Sequence, residues 1–180
     1  MKRPNNFDDI INNRVNSDKT GEPFTACSMC DTKLTQSDLF VIAKAYHGAR
    51  CVIETVQCLA CQMESRGYAS EQSTENIMLY SGRRFNDFIK DPIQRKLYHI
   101  EDPNCLISGE HLKMADTFEL YSFNLPGADL DDSNFLFVGP TAIEQMGELL
   151  SEETRKSWGR RVEEMAPDSP EIIISPVFGL

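Results

Sequence analysis

The stretch Cys27-Ser28-Met29-Cys30 is followed, after a gap of 27 residues, by Cys58-Leu59-Ala60-Cys61. Two C-x2-C pairs at this spacing can present four thiolates to one ion, and four thiolates in a tetrahedral arrangement form a structural zinc site. We therefore predict one structural zinc ion per chain. Its predicted ligands are Cys27, Cys30, Cys58 and Cys61. Closed four-cysteine sites also accept iron, and the spacing alone leaves that alternative open.

The residues around the two pairs predict a turn, a β-hairpin and a helix. Residues 27–34 have the character of a tight turn whose backbone N–H groups point at the thiolates. Residues 39–46 and 51–56 are rich in β-branched and aromatic side chains, and the turn at 47–49 joins them as a hairpin. The second cysteine pair opens a helical stretch at 58–64, where the positive end of the helix favours thiolate.

This order of elements resembles the treble-clef class of zinc fingers over residues 27–68, roughly a quarter of the chain. The resemblance implies the local fold and the four ligands, and it does not imply one activity, because the class includes nucleases, ribosomal proteins and protein-binding modules. Its nuclease members add a histidine cluster. None of His47, His99 and His111 falls in such an arrangement, which counts against nuclease chemistry.

We expect an α+β protein with four segments. Residues 1–23 form a polar N-terminal arm, predicted to be partly ordered at best. Residues 24–90 form the zinc module, which ends in a helix over 70–90; residues 91–104 form a packed connector. Residues 105–180 form a second module with an acidic hairpin turn, helices and a C-terminal strand.

The second module aligns with the first as a degenerate copy that has lost its metal. At an offset of 78 residues, Cys27, Leu34, Asp38, Phe40 and Ile42 meet Cys105, Leu112, Asp116, Phe118 and Leu120. At an offset of 81, the helix start at 70–73 meets 151–154. The other three ligands, Cys30, Cys58 and Cys61, meet Ser108, Gly139 and Ala142. Bulkier apolar residues are expected to replace the metal as the source of stability. Chance identity between two unrelated segments is the alternative.

Composition and charge limit the cellular compartments and the binding partners that we expect. Residues 1–9 lack the apolar core of a secretory signal, and no apolar run approaches bilayer-spanning length, so we expect a reducing cytoplasmic setting without membrane insertion. Residues 1–90 carry no net charge, whereas residues 91–180 carry all of the net charge of -10. The acidic half is therefore a poor partner for nucleic acid.

Several other features favour ordinary structural roles. Asp129, Asp131 and Asp132 do not match a calcium loop, so we interpret them as a solvated turn. Arg83-Arg84 is interpreted as a solvated helix face. Cys105, with histidines six residues away on both sides, has no recognised catalytic context, and Cys51 fits a core position. No phosphate-binding glycine motif or nucleophile elbow occurs either, so we expect no catalytic activity.

The terminal stretch 171–180 is strongly β-prone and has two interpretations. It either covers an edge of the second hairpin or pairs with another chain, by self-association or by addition to a partner's sheet. Deletion of this stretch separates them, because loss of an oligomer with unchanged solubility would favour pairing between chains.

Three functional classes are open at this point. The leading one is a non-catalytic zinc protein that binds another protein as an interaction or regulatory module. The second is a nucleic-acid module in which Arg50, Arg66, Arg83 and Arg84 converge on one face. The third is a thiol redox switch in which oxidation ejects the metal and pairs the cysteines.

Overall fold

The computed structural model describes residues 7–65, 69–90, 103–126 and 134–165. Within these ranges the chain has the predicted α+β fold, with one four-stranded antiparallel sheet and five helices. In chain order the elements are α1 (Phe7–Asn12), β1 (Phe40–His47), β2 (Arg50–Cys58), α2 (Leu59–Ser65), α3 (Glu71–Lys90), β3 (Thr117–Asn124), β4 (Phe135–Val138), α4 (Pro140–Glu148) and α5 (Glu152–Met165). The predicted hairpin and the predicted helix over 70–90 are confirmed as β1, β2 and α3.

Both predicted modules contribute to the same sheet. The strand order is β2-β1-β3-β4, so β1 and β3 are the central pair and each has its own hairpin partner on the outside. In the β1–β3 register, Ala43 lies opposite Tyr121, and Phe40 and Tyr46 lie opposite Asn124 and Phe118. The two hairpins are therefore joined along the full length of their first strands.

The two faces of the sheet pack against different parts of the chain. Phe118 of β3 contacts Phe7 of α1, with ring centroids 4.9 Å apart. Phe123 lies an odd number of residues after Phe118 on the same strand, so its side chain points to the opposite face. There it meets Phe85 of α3 edge to face, with ring centroids 6.1 Å apart. The N-terminal helix thus covers one face, and α3 covers the other.

The N-terminal arm differs from the sequence-based expectation. Residues 7–12 form α1, and Phe7 and Ile10 are buried in the main core. The buried ammonium group of Lys44 on β1 also donates hydrogen bonds to the backbone carbonyls of Asn13 (2.9 Å) and Asn16 (2.6 Å). Apolar burial and this cation hold the arm on the sheet, which its polar composition did not indicate.

Apolar side chains of α3 and α4 are buried, with one exception on α3. Ile143, Met146 and Leu150 are buried, as expected for the apolar face of the second module. The sequence predicts that Ile77 and Met78 are both on the buried face of α3; Ile77 is buried, but Met78 is 66% exposed, so the prediction for Met78 is wrong. One residue along a helix turns the side chain by about 100°, which carries Met78 off the inner face.

Three predictions fall outside the described residues. They concern residues 91–102 of the connector, the acidic turn at 129–132 and the terminal strand at 171–180.

Candidate metal site and its counterpart

The first cysteine pair lies on a tight turn that is fastened to β2. The backbone N–H of Cys27 donates to the carbonyl of Thr32 (2.9 Å), and Asp31 donates back to the carbonyl of Cys27 (3.0 Å). Asp31 has φ of 57°, a left-handed conformation that aspartate tolerates better than most residues. Ser28 and Val56 exchange two hydrogen bonds, at 2.8 and 2.9 Å, which align the turn with the hairpin.

The second pair lies where β2 passes into α2. Cys58 is the last residue of the strand, and Cys61 is in the first turn of the helix. The backbone N–H groups of Cys58 and Met29 point at the sulfur of Cys27, at 3.4 and 3.5 Å. Such donors favour the thiolate form of cysteine.

The four sulfur atoms form one cluster. All four Sγ atoms lie within 4.8 Å of one another, and those of Cys30 and Cys58 are 3.8 Å apart. A tetrahedron with metal–sulfur bonds of about 2.3 Å has edges of about 3.8 Å, so the spacing and the all-thiolate donor set fit a zinc ion. Cys27 is 1% exposed and lies in a small apolar cluster with Leu34 and Phe40.

Two cysteines of the cluster differ in the pKa of their thiol groups. The hydroxyl and the backbone N–H of Thr32 lower the pKa of Cys30 to about 6. The pKa of Cys61 is raised, first through its hydrogen bond with Cys30 and then by burial. Neighbouring thiolates repel one another, so the ionised form of the whole cluster requires a cation in its centre.

Exposed apolar side chains lie close in sequence to the cysteines. Met29 sits between the first two ligands and is 46% exposed, while Leu59 and Met63 on α2 are 49% and 60% exposed. A spacing of four places Leu59 and Met63 on the same side of their helix.

The turn that begins at Cys105 has the same hydrogen-bond pattern as the turn at Cys27. Cys105 donates its backbone N–H to Glu110 (2.8 Å), and Gly109 donates to Cys105 (2.9 Å). Gly109 has φ of 75° at the position that corresponds to Asp31. Leu106 donates to the carbonyl of Phe137 (2.9 Å), as Ser28 does to Val56 in the first turn.

Of the four positions that match the metal ligands, only Cys105 holds a sulfur donor. Cys105 is fully buried, and Ser108, Gly139 and Ala142 occupy the other three positions. A β-carbon added to Gly139 would lie 2.2 Å from a carboxylate oxygen of Glu110. That carboxylate instead accepts hydrogen bonds from the N–H (3.0 Å) and hydroxyl (2.6 Å) of Thr141, at the start of α4.

Sequence reasoning missed a polar cluster around the buried Lys44. Its ammonium group forms an ion pair with Asp18, which also accepts a hydrogen bond from the hydroxyl of Tyr46 at 3.1 Å. Asp18, Cys51 and Glu54 bring potential ligand atoms within 4.8 Å of one another, and burial raises the pKa of Cys51 to about 12. The strand alternation Phe40, Ile42, Lys44, Tyr46 was a usable signal, because it places a lysine on an apolar face.

The remaining candidates are not brought together in a site within the described residues, or they lie outside those residues. Arg50, Arg83 and Arg84 are exposed, and Arg66 is outside the described residues, as is His99. The side chain of His111 is exposed and its Nδ1 accepts the backbone N–H of Lys113, whereas Cys105 is enclosed.

No helix within the described ranges is long and apolar enough to cross a membrane. No protein-family model, curated protein or solved structure matches the chain.

Proposed function

We propose that the chain is a non-catalytic zinc protein with one structural ion held by Cys27, Cys30, Cys58 and Cys61. The observation that carries this proposal is the cluster of four sulfur atoms within 4.8 Å. Four thiolates complete a tetrahedral shell and leave no open position for substrate, which is the arrangement of structural sites. The order of turn, hairpin and helix supports a treble-clef-like module around the ion.

The second half is proposed to be a metal-free copy of the first. Its support is the matched hydrogen-bond pattern of the turns at Cys27 and Cys105. The hairpin registers match as well: Val41 lies opposite Gln57, and Glu119, 78 residues later, lies opposite Val138, 81 residues later. Independent segments would have no reason to share both offsets.

The helix starts that follow the two copies support the same proposal. Ser70 donates its backbone N–H to the hydroxyl of Thr154 (2.9 Å), and Ser151 donates to the hydroxyl of Ser73 (2.8 Å). These are reciprocal contacts between equivalent positions at an offset of 81. They correspond to a two-fold relation between the halves.

In the second copy, the carboxylate of Glu110 substitutes for the metal as the link between turn and helix. In the first half, the ion would join the turn at Cys27 to the start of α2. In the second half, Glu110 joins the turn at Cys105 to Thr141 at the start of α4. A negative charge at a helix N-terminus is also stabilised by the helix dipole.

The biological role that we propose is binding to another protein. Exposed Met29, Leu59 and Met63 support it, because apolar side chains near a rigid site suit a protein contact. A double variant Leu59→Ser with Met63→Ser should keep its metal and lose capture of the partner from cells that express the chain. Met78→Ser with Leu79→Ser on α3, a Met and a Leu that are even more exposed, is the control.

Elemental analysis tests the zinc proposal directly. Protein purified without added metal or chelator should contain about one zinc per chain, the stoichiometry of a single four-thiolate site. About two ions per chain would contradict the metal-free second copy. Absence of metal together with cysteines that are free or oxidised would contradict the structural site and favour the redox alternative.

A further inference from the structure

A cavity of about 250 Å³ lies between the N-terminal segment, the residues that follow the first cysteine turn and the end of β3. Its apolar walls include Phe24, Leu34, Phe40 and Ile42. The four cysteines of the candidate metal site are not among the described residues that line it. An apolar cavity of about 150 Å³ in a protein core can bind benzene, so this one has room, in proportion, for about ten non-hydrogen atoms.

One wall of the cavity carries a buried hydroxyl group without a partner. Ser122 lines the cavity and is 4% exposed, and its Oγ makes no hydrogen bond within the described residues. In the β1–β3 register it lies opposite Ile42, which lines the same cavity. Buried hydroxyl groups in native proteins are normally paired, so this one indicates a missing partner inside the cavity.

The polar residues beside Ser122 are already paired. Asn124, two residues further along β3 and also buried, donates from its Nδ2 to the carbonyls of Gln36 (3.1 Å) and Asp38 (2.6 Å). The hydroxyl of Thr35 donates to the carboxylate of Asp38 (2.8 Å). Because these neighbouring donors are used within the fold, the unmet hydrogen bond of this wall is that of Ser122.

Arg14 also lines the cavity, but its guanidinium group is already engaged in the fold. Its Nη1 donates to the carbonyl of Ile11 (2.9 Å), and its guanidinium carbon lies 5.2 Å from the ring centroid of Phe135. A cation held in this way needs no acidic occupant for its charge. The cavity therefore suits a neutral molecule.

The position that the proposed duplication aligns with Ser122 holds a much larger side chain. It is Lys44, 78 residues earlier, whose buried ammonium group donates to the carbonyls of Asn13 and Asn16 and forms an ion pair with Asp18. At that position a long side chain reaches the N-terminal arm and its polar group is satisfied there. Serine is too short to do the same, which accounts for both the open space and the unpaired hydroxyl.

We propose that the cavity binds a neutral, mainly apolar small molecule that presents one hydrogen-bond acceptor, a carbonyl or ether oxygen, to Ser122. The apolar body of the ligand packs against Leu34, Phe40 and Ile42, and its oxygen accepts a hydrogen bond from the Oγ of Ser122. Apolar walls with a few polar groups that fix orientation are typical of small-molecule sites. This site is additional to the protein-binding role and to the metal site proposed above.

The test uses the full-length chain and two probes of nearly the same shape, acetophenone and α-methylstyrene. They differ in one group, because the carbonyl oxygen of the ketone is replaced by a methylene group in the hydrocarbon. Methyl NMR resonances of Leu34 and Ile42 should shift saturably with either probe, whereas those of Leu112 and Leu150 in the second half should not. The titrations give a dissociation constant for each probe.

Variants of Ser122 separate the hydroxyl from the cavity. Ser122→Ala should weaken acetophenone binding about fivefold and leave α-methylstyrene binding unchanged, since only the ketone loses a hydrogen bond. Ser122→Leu should abolish binding of both probes by filling the space. Ser81→Ala on α3, whose hydroxyl donates to the carbonyl of Ile77 outside the cavity, is the control and should bind both probes like the wild type.

The melting temperature of the ligand-free protein provides a second readout. Ser122→Ala should raise it, because the substitution removes a buried hydroxyl group that has no partner. A lowered value would show that the hydroxyl is already paired, by water or by another part of the chain, and would overturn the proposal. So would equal weakening of both probes in Ser122→Ala, or the absence of saturable shifts at Leu34 and Ile42. None of these outcomes affects the metal site, whose cysteines do not line the cavity.

Discussion

Replacement of Cys58 by serine should destabilise the protein far more than replacement of Cys105. Cys58 belongs to the four-sulfur cluster, with its Sγ 3.8 Å from that of Cys30. Cys105 matches Cys27 at an offset of 78 and belongs to no group of potential metal ligands within the described residues. Cys51 is the matched control, because it lies outside the cluster on the same strand as Cys58.

The magnitudes follow from what each sulfur does. Loss of a ligand that prevents zinc binding removes a term on the order of 10 kcal/mol, which is comparable to the whole stability of a domain, about 5–15 kcal/mol. Cys105→Ser leaves a hydroxyl in a fully buried position, where the N–H of Ser108 can still donate to it. That change should cost about 1–2 kcal/mol. Cys51→Ser should cost less than about 1 kcal/mol, since a hydroxyl can donate to the carbonyl of Ile53 as the thiol does.

Urea unfolding followed by circular dichroism, with zinc content measured for each variant, is the assay. The expected order of stability is wild type and Cys51→Ser first, then Cys105→Ser, then Cys58→Ser. Cys58→Ser should also lose its zinc, whereas the other two variants should keep it. Equal losses for Cys58→Ser and Cys105→Ser, or full zinc content in Cys58→Ser, would refute the assignment of metal to the first half alone.

Three further changes test other parts of the fold. Lys44→Met should lower the free energy of unfolding by about 2–3 kcal/mol in urea titrations, because it leaves a carboxylate partner that is only 26% exposed; an unchanged value would contradict the anchoring role of this cation. Gly139→Ala should cost about 1–3 kcal/mol through overpacking against the carboxylate that caps α4, while Gly147→Ala in open space should be neutral or slightly stabilising in the same thermal melts. Hydrogen bonds from Thr35 lower the pKa of Asp38 in the folded state, so their contribution to stability is complete above about pH 4 and is lost as pH falls through the lowered pKa. The melting temperatures of wild type and Asp38→Asn should therefore converge in acid. Melting temperatures that differ by the same amount at every pH would contradict a role for these hydrogen bonds.

Much of the fold could be predicted because its signals are local. β-Branched and aromatic residues predict the strands at 39–46 and 51–56, and the two cysteine pairs mark the two ends of the hairpin. The proposal that the second half is a copy of the first also comes from the sequence, although only Cys105 of the four ligand positions is retained. Glu110 could not be assigned from sequence, since its role depends on a contact with Thr141, 31 residues away.

The missed features depend on contacts between distant residues. Phe7 and Ile10 are isolated apolar residues in a polar arm. They are buried because they pack in the core that contains Phe118, a residue more than 100 positions later in the chain. The apolar alternation around Lys44 marks an unusual lysine, but the three acceptors of its ammonium group come from the N-terminal arm, 26 to 31 residues away. Tertiary packing determines these contacts, and the local sequence does not specify the partners.

The central strand pair has a consequence for how such a chain can arise and be divided. Ala43 and Tyr121, which the proposed duplication aligns at an offset of 78, lie directly opposite each other. A single ancestral copy with this strand could therefore have paired with an identical strand in another molecule, with Ala43 opposite Ala43 at the dyad. Residues 24–90 expressed alone would expose the edge of β1 that pairs with β3 in the full chain, and such an edge tends to pair with a strand of another molecule. Under the proposed duplication, tandem fusion would have placed both strands in one chain and left one of the two metal sites free to be lost.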